Sequence, residues 1–436
     1  MTSSPRSDRL PTKQPVDISA VNSPIPRTAG RDDAGFKKGI VSSRVAILEA
    51  KRTPIGKFLG AFRNHSAVKL GADVAREVLA SSKTAPGRVD EVIFGQARQA
   101  GCGPNPARQV LVRSGVPESV TATTVNAACG SGLKAIALGA DAIRLGRAQR
   151  VLAGGMENMT QVPFMLDRAR EGYRLGHAPL ADGMYRDGFL CPICDMLMGE
   201  TAEVLAQEFA ISRDEQDRWA VMSQERAERA IAAGRFDGEI VPVSTDGPRG
   251  EKVTVTRDEH PRAGVMLASL ARLAPVFRPD GSVTAGNASG ITDGAAAVVL
   301  ASERAVEEAG ARPLGWIRDF VAVGVEPRRM GIGPVPALRA LLERNRLGLA
   351  DIDVIELNEA FAAQVIACER ELGFDRERVN PNGGAIALGH PIGCTGTRIV
   401  VTLLHEMGRR RARRGVATLC ISGGMGMAML IESGGD

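Results

Sequence analysis

Apolar runs alternate with helical periodicities along the chain from residue 44 onward. Three runs predict buried strands, and they are VAILEA from Val45, DEVIFG from Asp90 and RVLAGG from Arg150. Apolar residues recur at helical spacing over residues 66–82 and 133–145. Strands that alternate with helices in this way are typical of an α/β layer.

A second set of segments repeats this order near the C-terminus. DVIELNE from Asp353 parallels DEVIFGQ, GCTGTRIVVTLL from Gly393 parallels CGSGLKAIAL, and ATLCISGGMG from Ala417 parallels VLAGGMENM. The spacings between these segments agree within a few residues in the two parts. The sequence therefore predicts a duplicated unit of strands and helices, in which each copy forms one α/β layer.

The residues between the two copies follow a less regular pattern. A helix pair is predicted over Glu200–Phe209 and Arg213–Gly234, and we interpret this region as an insertion that caps one end of the sheets. Residues 1–43 are rich in Ser, Pro, Arg and Asp and have no hydrophobic period, which predicts a disordered extension. We expect four parts: the extension 1–43, an N-terminal half 44–160 with part of 290–313, the inserted domain 161–289, and a C-terminal half 314–436.

Composition and charge narrow the function classes. With 44% hydrophobic and 24% charged residues, the composition is that of an ordinary globular protein. The formal net charge of +5 is carried mostly by scattered arginines, which suits either an anionic ligand or solubility alone. No basic stripe with interleaved aromatic residues is present, so nucleic-acid binding is not expected. No run is apolar enough to predict a membrane span.

The cysteines point to a reducing compartment. There are seven, an odd number without a regular framework, and no secretory signal is visible, so we expect reduced thiols in the cytoplasm. Cys191 and Cys194 form a CPIC pair. No second pair completes a zinc site, and the βαβ context of a thioredoxin-like motif is missing. We therefore expect neither a metal nor a redox role for this pair.

Two glycine-rich loops carry the candidate nucleophile and base. In NAACGSG, Cys129 lies at a predicted strand-to-helix turn, where the amides and dipole of a helix N-terminus favour a thiolate. In NPNGGAIALGHPIGCTG, His390 precedes a helix and has no apolar period to explain it. A buried inert cysteine and a structural histidine are the alternatives. Duplicated halves that meet face to face would bring the two loops together as a Cys–His pair.

Two further segments of the second copy end strands with polar or reactive groups. In LCISGGMG, Cys420 lies at a strand end before a glycine turn, where a thiol can act as an acid or base, or only as a small core residue. In ELNEAFAA, Asn358 follows a strand, and its amide is suited to hold a water that stabilises an oxyanion.

Taken together, these motifs resemble the thiolase family over residues 44–435. The supporting segments, in the family's order, are NAACGSGLKAIALGA, AGGMENM, MGETAE, SRDEQDRWAVMSQERA, VTAGNASGITDGAAA, MGIGPVPA, LNEAFAAQ, NGGAIALGHPIG and CISGGMGMAM. The CGSGL sequence at the nucleophile is most similar to that of acetoacetyl-CoA thiolases. The resemblance implies a duplicated five-layered α/β/α/β/α fold with an inserted loop domain, and a homodimer or homotetramer.

The resemblance also implies roles for the candidate residues. Cys129 is expected to carry the acyl group as a thioester, and His390 to accept its proton. Cys420 is expected to move a proton at the α-carbon of the second acetyl-CoA, and Asn358 to position a water beside the enolate oxygen. The backbone amides of Cys129 and Ser422 are expected to form a second oxyanion hole. The implied activity is Claisen condensation of two acetyl-CoA, or thiolysis of 3-ketoacyl-CoA, by a ping-pong route in fatty-acid metabolism.

The inserted domain resembles the family's CoA-binding region. CoA thioesters are then substrates, and no bound cofactor or metal is required. The residues implied to contact acyl-CoA or CoA are Ser289, Phe277, Met198, Met330, Phe361, Arg262 and Ser269.

Three departures from the family pattern bear on this reading. Ser422 stands where a glycine is usual, which costs strain if the position needs a positive φ. Leu197 stands where short-chain members often carry His, which bears on the preference for acetoacetyl-CoA. Cys394 adds a third thiol near the site.

Three alternative functions remain at this point. A longer-chain 3-ketoacyl-CoA thiolase of β-oxidation would use the same residues on a wider pocket. A decarboxylating ketoacyl synthase shares the duplicated fold but pairs its cysteine with two histidines or with His and Asn. A thiolase-like scaffold that only binds CoA would be expected to have lost the nucleophile or the histidine, and both are present here.

Overall fold

The computed structural model describes residues 44–247 and 250–434. The disordered extension that we predict for residues 1–43 lies outside the described residues. Within the described part, the strands are β1 Val45–Arg52, β2 Gly56–Lys57, β3 Glu91–Gly95, β4 Thr121–Val125, β5 Arg150–Asn158, β6 Phe164–Met165, β7 Ala181–Asp182, β8 Leu190–Cys191, β9 Met196–Leu197, β10 Val243–Asp246, β11 Lys252–Val255, β12 Thr292–Ser302, β13 Gly315–Gly324, β14 Val354–Leu357, β15 Arg414–Ile421 and β16 Met425–Ser433.

The helices of the same part lie between and around these strands. They are α1 Ala67–Ser81, α2 Pro106–Arg113, α3 Ser131–Arg144, α4 Met198–Glu208, α5 Arg213–Ala232, α6 Leu267–Leu270, α7 Glu303–Ala309, α8 Pro334–Asn345, α9 Ala362–Leu372, α10 Ala385–Leu388 and α11 Ile392–Arg410. The strands and helices predicted from periodicity are confirmed, including the helix pair, which is α4 and α5. None of the described helices combines the length and apolarity needed to cross a membrane.

The main sheet joins two copies of one strand arrangement. Its order is β14-β15-β16-β13-β1-β12-β5-β3-β4, and β2 pairs with β12 at the side. In the first copy, β3 pairs in parallel with β4 and β5, and β12 pairs antiparallel with β5 and β1. In the second copy, β14 pairs in parallel with β15, and β16 pairs antiparallel with β15 and β13. The duplication read from the sequence is therefore a duplication of strand order and direction.

Details of the backbone repeat as well. The carboxylate of Asp90 accepts from two backbone amides at the start of β5, and the carboxylate of Asp353 accepts from two at the start of β15. Strand β1 has a bulge after Ile47, and β13 has one after Ile317. Equal bulges at equal places make the same local twist in both copies.

Five layers follow from the two faces of the sheet. One face of the first copy packs with α1 and α2, and the outer face of the second copy packs with α8 and α9. Helices α3 and α11 lie between the two copies, in one apolar cluster with residues of both. Successive residues of β5 alternate between layers, since Val151 belongs to the central cluster and Leu152 to the outer one. The α/β/α/β/α arrangement that the resemblance implies is confirmed.

Glycines set the separation of the two central helices. A Cβ added at Gly132 in α3 would lie 2.8 Å from the backbone N of Thr397 in α11. A Cβ added at Gly396 in α11 would lie 2.3 Å from the backbone N of Leu133 in α3. The helices can therefore cross with backbone against backbone only because both positions are glycine. This crossing places the N-termini of α3 and α11, and the loops that precede them, beside each other.

Candidate active site

Cys129 lies in a tight turn between β4 and α3. Ala128 has a φ of 45°, and the side chain of Ser131 closes the turn by donating to the carbonyl of Ala128 at 2.6 Å and accepting from Ala127 N at 2.9 Å. The turn holds Cys129 at the start of the helix, half-buried against the central apolar cluster. A cysteine in this position is fixed by the backbone rather than by its own side chain.

His390 lies in the loop between α10 and α11, with its Nε2 atom 3.3 Å from Cys129 Sγ. Its Nδ1 atom is 2.7 Å from Thr395 Oγ1, and that hydroxyl donates to the carbonyl of Pro391 at 3.0 Å. Because the Thr395 hydroxyl proton is already used, its oxygen accepts from Nδ1–H. The Nε2 atom is then the unprotonated nitrogen and faces the thiol, which is the arrangement of a base and a nucleophile.

Burial keeps this pair neutral at rest. It lowers the pKa of His390 to about 3, and the positive charges of Arg398 and Arg98 act in the same direction. Burial also raises the pKa of the Cys129 thiol, against the charge of Arg98 and hydrogen bonds from the backbone N–H groups of Ser422 and Cys129. Those two amides therefore point at the sulfur, and any negative charge that forms there or on an attached acyl oxygen meets two preset donors.

Cys420 and Ser422 lie at the end of β15. Cys420 is buried, and burial followed by the neighbouring Cys129 raises the pKa of its thiol well above the usual value. The turn that follows has a φ of 89° at both Gly423 and Gly424, whereas Ser422 keeps a φ outside the left-handed region. The serine therefore stands without backbone strain, and its amide remains available as a donor.

Asn358 follows β14 directly and is fully buried. Neither atom of its side-chain amide has a hydrogen-bond partner among the described residues. The adjacent Glu359 is different, because it accepts from Trp219 Nε1 at 3.1 Å and from Ser223 Oγ at 2.7 Å and ties α5 to this loop. A buried amide without a protein partner is expected to bind water or substrate.

The reactive groups open into one cavity of about 330 Å³. Cys129, His390, Cys420 and Ser422 all line it. The residues expected to contact acyl-CoA that also line it are Ser289, Phe277, Met198, Met330 and Phe361. The rings of Phe277 and Phe361 meet edge to face, with centroids 6.2 Å apart. The cavity is therefore a mostly apolar channel that leads to the cysteine.

Two expected contacts lie elsewhere. Arg262 lines a second cavity, of about 490 Å³, beside α5, and Ser269 lies on α6 with its hydroxyl donating to the carbonyl of Met266 at 2.6 Å. Neither residue lines the cavity of Cys129. A role for either at the nucleotide end of CoA stays a prediction.

Residues 45–304 match the family described as Thiolase, N-terminal domain, and residues 311–433 match Thiolase, C-terminal domain. The chain belongs to the thiolase family. The two matched regions cover most of the described chain and are separated by residues 305–310, most of which belong to α7.

This thiolase is similar to curated bacterial acyltransferases over most of its length. It is 51% identical to an acetyl-CoA acetyltransferase of Pseudomonas aeruginosa over 89% of this chain and 98% of that protein. It is 51% identical to an acetyl-CoA acetyltransferase of Escherichia coli over 88% of this chain and 98% of that protein. The chain is accordingly an enzyme of the acyltransferase class.

Solved structures of thiolases have the same fold. The crystal structure of the Bacillus anthracis acetyl-CoA acetyltransferase superposes with a TM-score of 0.89 at 45% identity and covers 91% of this chain and 100% of that one. Human mitochondrial 3-ketoacyl-CoA thiolase in complex with CoA superposes with a TM-score of 0.86 at 41% identity, over 90% of this chain and 98% of that one.

Sequence reasoning missed two residues that support the site without lining its cavity. Thr395, which sets the histidine tautomer, comes five positions after His390, and a hydroxyl one helical turn behind a catalytic loop was the available signal. Glu157 is buried at the end of β5 and accepts from the backbone amides of Ala97, Arg98 and Gly393. No local pattern announces those contacts, because each joins segments far apart in sequence.

Proposed function

We propose that this thiolase is an acetyl-CoA C-acetyltransferase. It joins two acetyl-CoA molecules into acetoacetyl-CoA and CoA without decarboxylation, or runs the reverse thiolysis. The observation that carries the proposal is the contact between Cys129 and His390, in which Nε2 lies 3.3 Å from Sγ while Nδ1 lies 2.7 Å from Thr395 Oγ1. The similarity to acetyl-CoA acetyltransferases at 51% identity supports the choice of substrate.

In the first half-reaction, Cys129 attacks the carbonyl carbon of acetyl-CoA while its proton moves to His390 Nε2. The C–S bond to CoA breaks, the proton passes to the departing CoA sulfur, and the acetyl group stays on Cys129. The carbonyl oxygen becomes an oxyanion in passing and is held by the amides of Cys129 and Ser422. Losing one donor of such a hole costs about 3–4 kcal/mol in comparable enzymes.

In the second half-reaction, Cys420 takes a proton from the α-carbon of a second acetyl-CoA. The enolate oxygen is held by His390 and by a water on the buried amide of Asn358. The α-carbon then attacks the acetyl group on Cys129, the thioester bond to the enzyme breaks, and the proton that Cys420 took passes to the departing Cys129 sulfur. Cys420 lines the cavity beside Cys129, which supports this role.

The enzyme test uses matched cysteine variants. Cys129→Ala is expected to lose thiolysis of acetoacetyl-CoA by about 10⁴-fold or more, because no other group can carry the acyl chain. Cys102→Ala, outside the cavity of Cys129, is the control and should keep the wild-type rate. Intact mass after acetyl-CoA treatment should show an acetyl group in the wild type and none in Cys129→Ala. Turnover by Cys129→Ala would contradict the covalent route.

A longer-chain 3-ketoacyl-CoA thiolase is the second candidate. Leu197 lies in the cavity wall beside Met198, so an apolar side chain occupies the place where His is frequent in short-chain members. Thiolysis of acetoacetyl-CoA and of a long-chain 3-ketoacyl-CoA by the purified protein separates the two functions. We expect acetoacetyl-CoA to be preferred, and preference for the longer chain would make the enzyme a β-oxidation thiolase. Condensation that requires malonyl-CoA would instead indicate a ketoacyl synthase.

Domain organisation, assembly and location belong to the same proposal. We retain the inserted domain at residues 161–289 and a homodimer or homotetramer acting in fatty-acid metabolism in the cytoplasm. Large apolar side chains are exposed in residues 164–180, among them Phe164, Leu175 and Leu180, which supports assembly through this segment. Seven free cysteines support a reducing compartment. Light scattering on the wild type and on Leu175→Ser tests the assembly, and an unchanged mass would contradict a role for this segment.

A further inference from the structure

His260 is a histidine of the inserted region that does not line the cavity of Cys129. It belongs to the segment 256–262 between β11 and α6, and it is half-buried. None of the proposed steps at Cys129 uses this imidazole. It nevertheless contacts the backbone on two sides of His390, the proposed base.

The segment that carries His260 is fixed to the first half of the fold. The guanidinium of Arg52, at the end of β1, donates to both carboxylate oxygens of Asp258 at 2.7 and 2.9 Å. The carboxylate of Glu259 accepts from Ala61 N at 2.9 Å. The two residues before His260 are therefore tied to the first half, and the imidazole projects from a backbone whose position they set.

One nitrogen of the imidazole caps the helix that ends just before His390. The Nδ1 atom of His260 lies 2.8 Å from the carbonyl oxygen of Ala387, in α10. Because a carbonyl oxygen only accepts, Nδ1 carries the proton and donates. In a longer helix the donor to Ala387 would be the residue four positions on, which is Pro391 and has no N–H. His260 therefore satisfies a carbonyl that the helix itself leaves without a donor.

The other nitrogen of the imidazole packs against Gly290. A Cβ added at Gly290 would lie 1.9 Å from Nε2 of His260, so the ring occupies the space that any side chain would need. The carbonyl of Gly290 in turn accepts from the backbone N of His390 at 3.3 Å. His260 therefore touches both the helix end that leads into His390 and the residue that anchors the backbone of His390.

We propose that His260 is a positioning residue for His390. This inference rests on the proposed thiolase function and adds to it a residue that does not touch the reacting atoms. By capping α10 and filling the space beside Gly290, the imidazole fixes the backbone over residues 387–391. It thereby holds Nε2 of His390 at 3.3 Å from Cys129 Sγ. A misplacement of reacting groups by about 1 Å can cost roughly 100-fold in rate, so this support matters for catalysis.

The competing explanation is that His260 only joins the inserted region to the second half. Such a contact would contribute to the free energy of unfolding and would leave the folded enzyme with its wild-type rate. His405 provides the matched control, because its Nε2 atom lies 3.2 Å from the carbonyl oxygen of Ala50. It also contacts a backbone carbonyl, but towards the C-terminal end of α11. A positioning role predicts that variants of His260 slow the reaction and variants of His405 do not.

The experiment measures thiolysis of acetoacetyl-CoA and alkylation of Cys129 by iodoacetamide in one set of variants. In His260→Leu, which cannot donate to Ala387, kcat should fall by roughly 10- to 100-fold while KM stays within about twofold, because the base moves and the acyl site does not. Alkylation should slow in parallel. His260→Asn places an amide N–H where Nδ1–H stands and should restore kcat to within about threefold of the wild type. His405→Leu should keep the wild-type kcat and alkylation rate.

A compensating pair of substitutions tests the packing against Gly290. Gly290→Ala alone should slow alkylation of Cys129, because its Cβ must displace the imidazole of His260. When His260→Ala has already removed the ring, the same substitution meets free space. The double variant should therefore be no slower than His260→Ala, whereas two independent effects would multiply.

The outcomes separate this inference from the function beneath it. Wild-type kcat and alkylation in His260→Leu would overturn the positioning role and leave the thiolase function standing, and so would equal losses in His405→Leu. If His260→Leu fails to fold, His260→Gln, whose donor lies one bond further out, is compared with His260→Asn, and equal rates would overturn the role. If the wild type does not cleave acetoacetyl-CoA, the proposed function fails, while the alkylation rates still decide whether His260 positions His390.

Discussion

The two halves of this thiolase share one architecture and carry different side chains at equivalent positions. Asp90 and Asp353 occupy matching places, so Gly95 at the end of β3 corresponds to Asn358 after β14. When residues are counted from the first residue of β5 and from the first residue of β15, Met156 of the first half is equivalent to Cys420 of the second half.

The crossing of α3 and α11 gives a second alignment. Gly132 and Gly396 contact the opposite helix at equivalent points. Three residues before these glycines, the first half has Cys129 and the second half has Gly393. Six residues before them, the first half has Asn126 and the second half has His390. Cys129, the proposed nucleophile, therefore belongs to one half, whereas His390, the proposed base, the second thiol and the buried amide belong to the other.

The comparison shows why one half could not do the chemistry alone. A Cβ added at Gly95 would lie 2.4 Å from the carbonyl carbon of Ser131, so α3 fills the space that an amide would need. In the second half that space holds Asn358. Each half provides room for one kind of group, and the helix crossing brings the groups together.

The largest expected effect comes from giving the second half the residue of the first. His390→Asn, which copies Asn126, removes the proton acceptor at Cys129 Sγ and should lower kcat/KM for acetoacetyl-CoA by about 10²–10⁴-fold. Alkylation of Cys129 by iodoacetamide should slow as well. His405→Asn, at a histidine bonded to the Ala50 carbonyl, is the control. A His390→Asn enzyme with the wild-type rate would remove His390 from the mechanism.

Symmetry of the helix crossing predicts a pair of matched losses. Gly132→Ala and Gly396→Ala should each reduce the free energy of unfolding by about 1–3 kcal/mol, because each Cβ meets the backbone of the other helix. Gly408→Ala in α11 meets nothing within 4 Å and should stabilise the protein by up to about 1 kcal/mol. Urea unfolding measures all three, and a loss at only one crossing glycine would show that the contact is not symmetric.

A buried carboxylate that only the second half has at this position predicts that the stability of the protein depends on pH. Glu356 in β14 corresponds to Ile93 in β3, and burial raises its pKa to about 8 against the opposing charge of Arg398. The unfolded carboxyl titrates near about 4.3. The folded protein therefore binds more protons between these values, and its stability should fall as pH rises from 5 to 8, on the order of 1–3 kcal/mol.

Urea unfolding of the wild type, Glu356→Gln and the exposed Glu343→Gln at pH 5 and pH 8 measures this difference. Glu356→Gln should flatten the pH dependence, and Glu343→Gln should not. An equal slope in all three proteins would mean that Glu356 is ionised in the folded state.

The smallest effect is expected at Ser422, one of the three departures from the family pattern. Ser422→Gly should change thiolysis by no more than about twofold, because the group that donates to Cys129 is the backbone amide, which the substitution keeps, and Ser422 carries no left-handed strain. Gly423→Ala, at a φ of 89°, should cost about 1–2 kcal/mol of stability. A large gain in rate from Ser422→Gly would mean that the serine side chain obstructs the oxyanion hole.

Hydrophobic periodicity was sufficient to predict the strands, the helices and the duplication, since the patterns of strands and helices are local in the sequence. The Cys129–His390 contact was predictable for a related reason, because equivalent loops of equivalent copies lie at the same end. The contacts of Glu157 and Thr395 were not predictable, since they depend on segments that only the fold brings together. The position of β12 between β1 and β5 also has no local signal, because strand order is decided by contacts across most of the chain.

Strand β1 has a consequence for how the protein is made. Its hydrogen-bonded neighbours are β12 and β13, and Val45 pairs with Ser302 and Ile317. On a ribosome, β1 leaves the exit tunnel long before either neighbour is synthesised, and both of its edges must wait unpaired. The first half therefore cannot close until β12 has emerged, and the other edge of β1 is paired only when the second half has begun to emerge with β13.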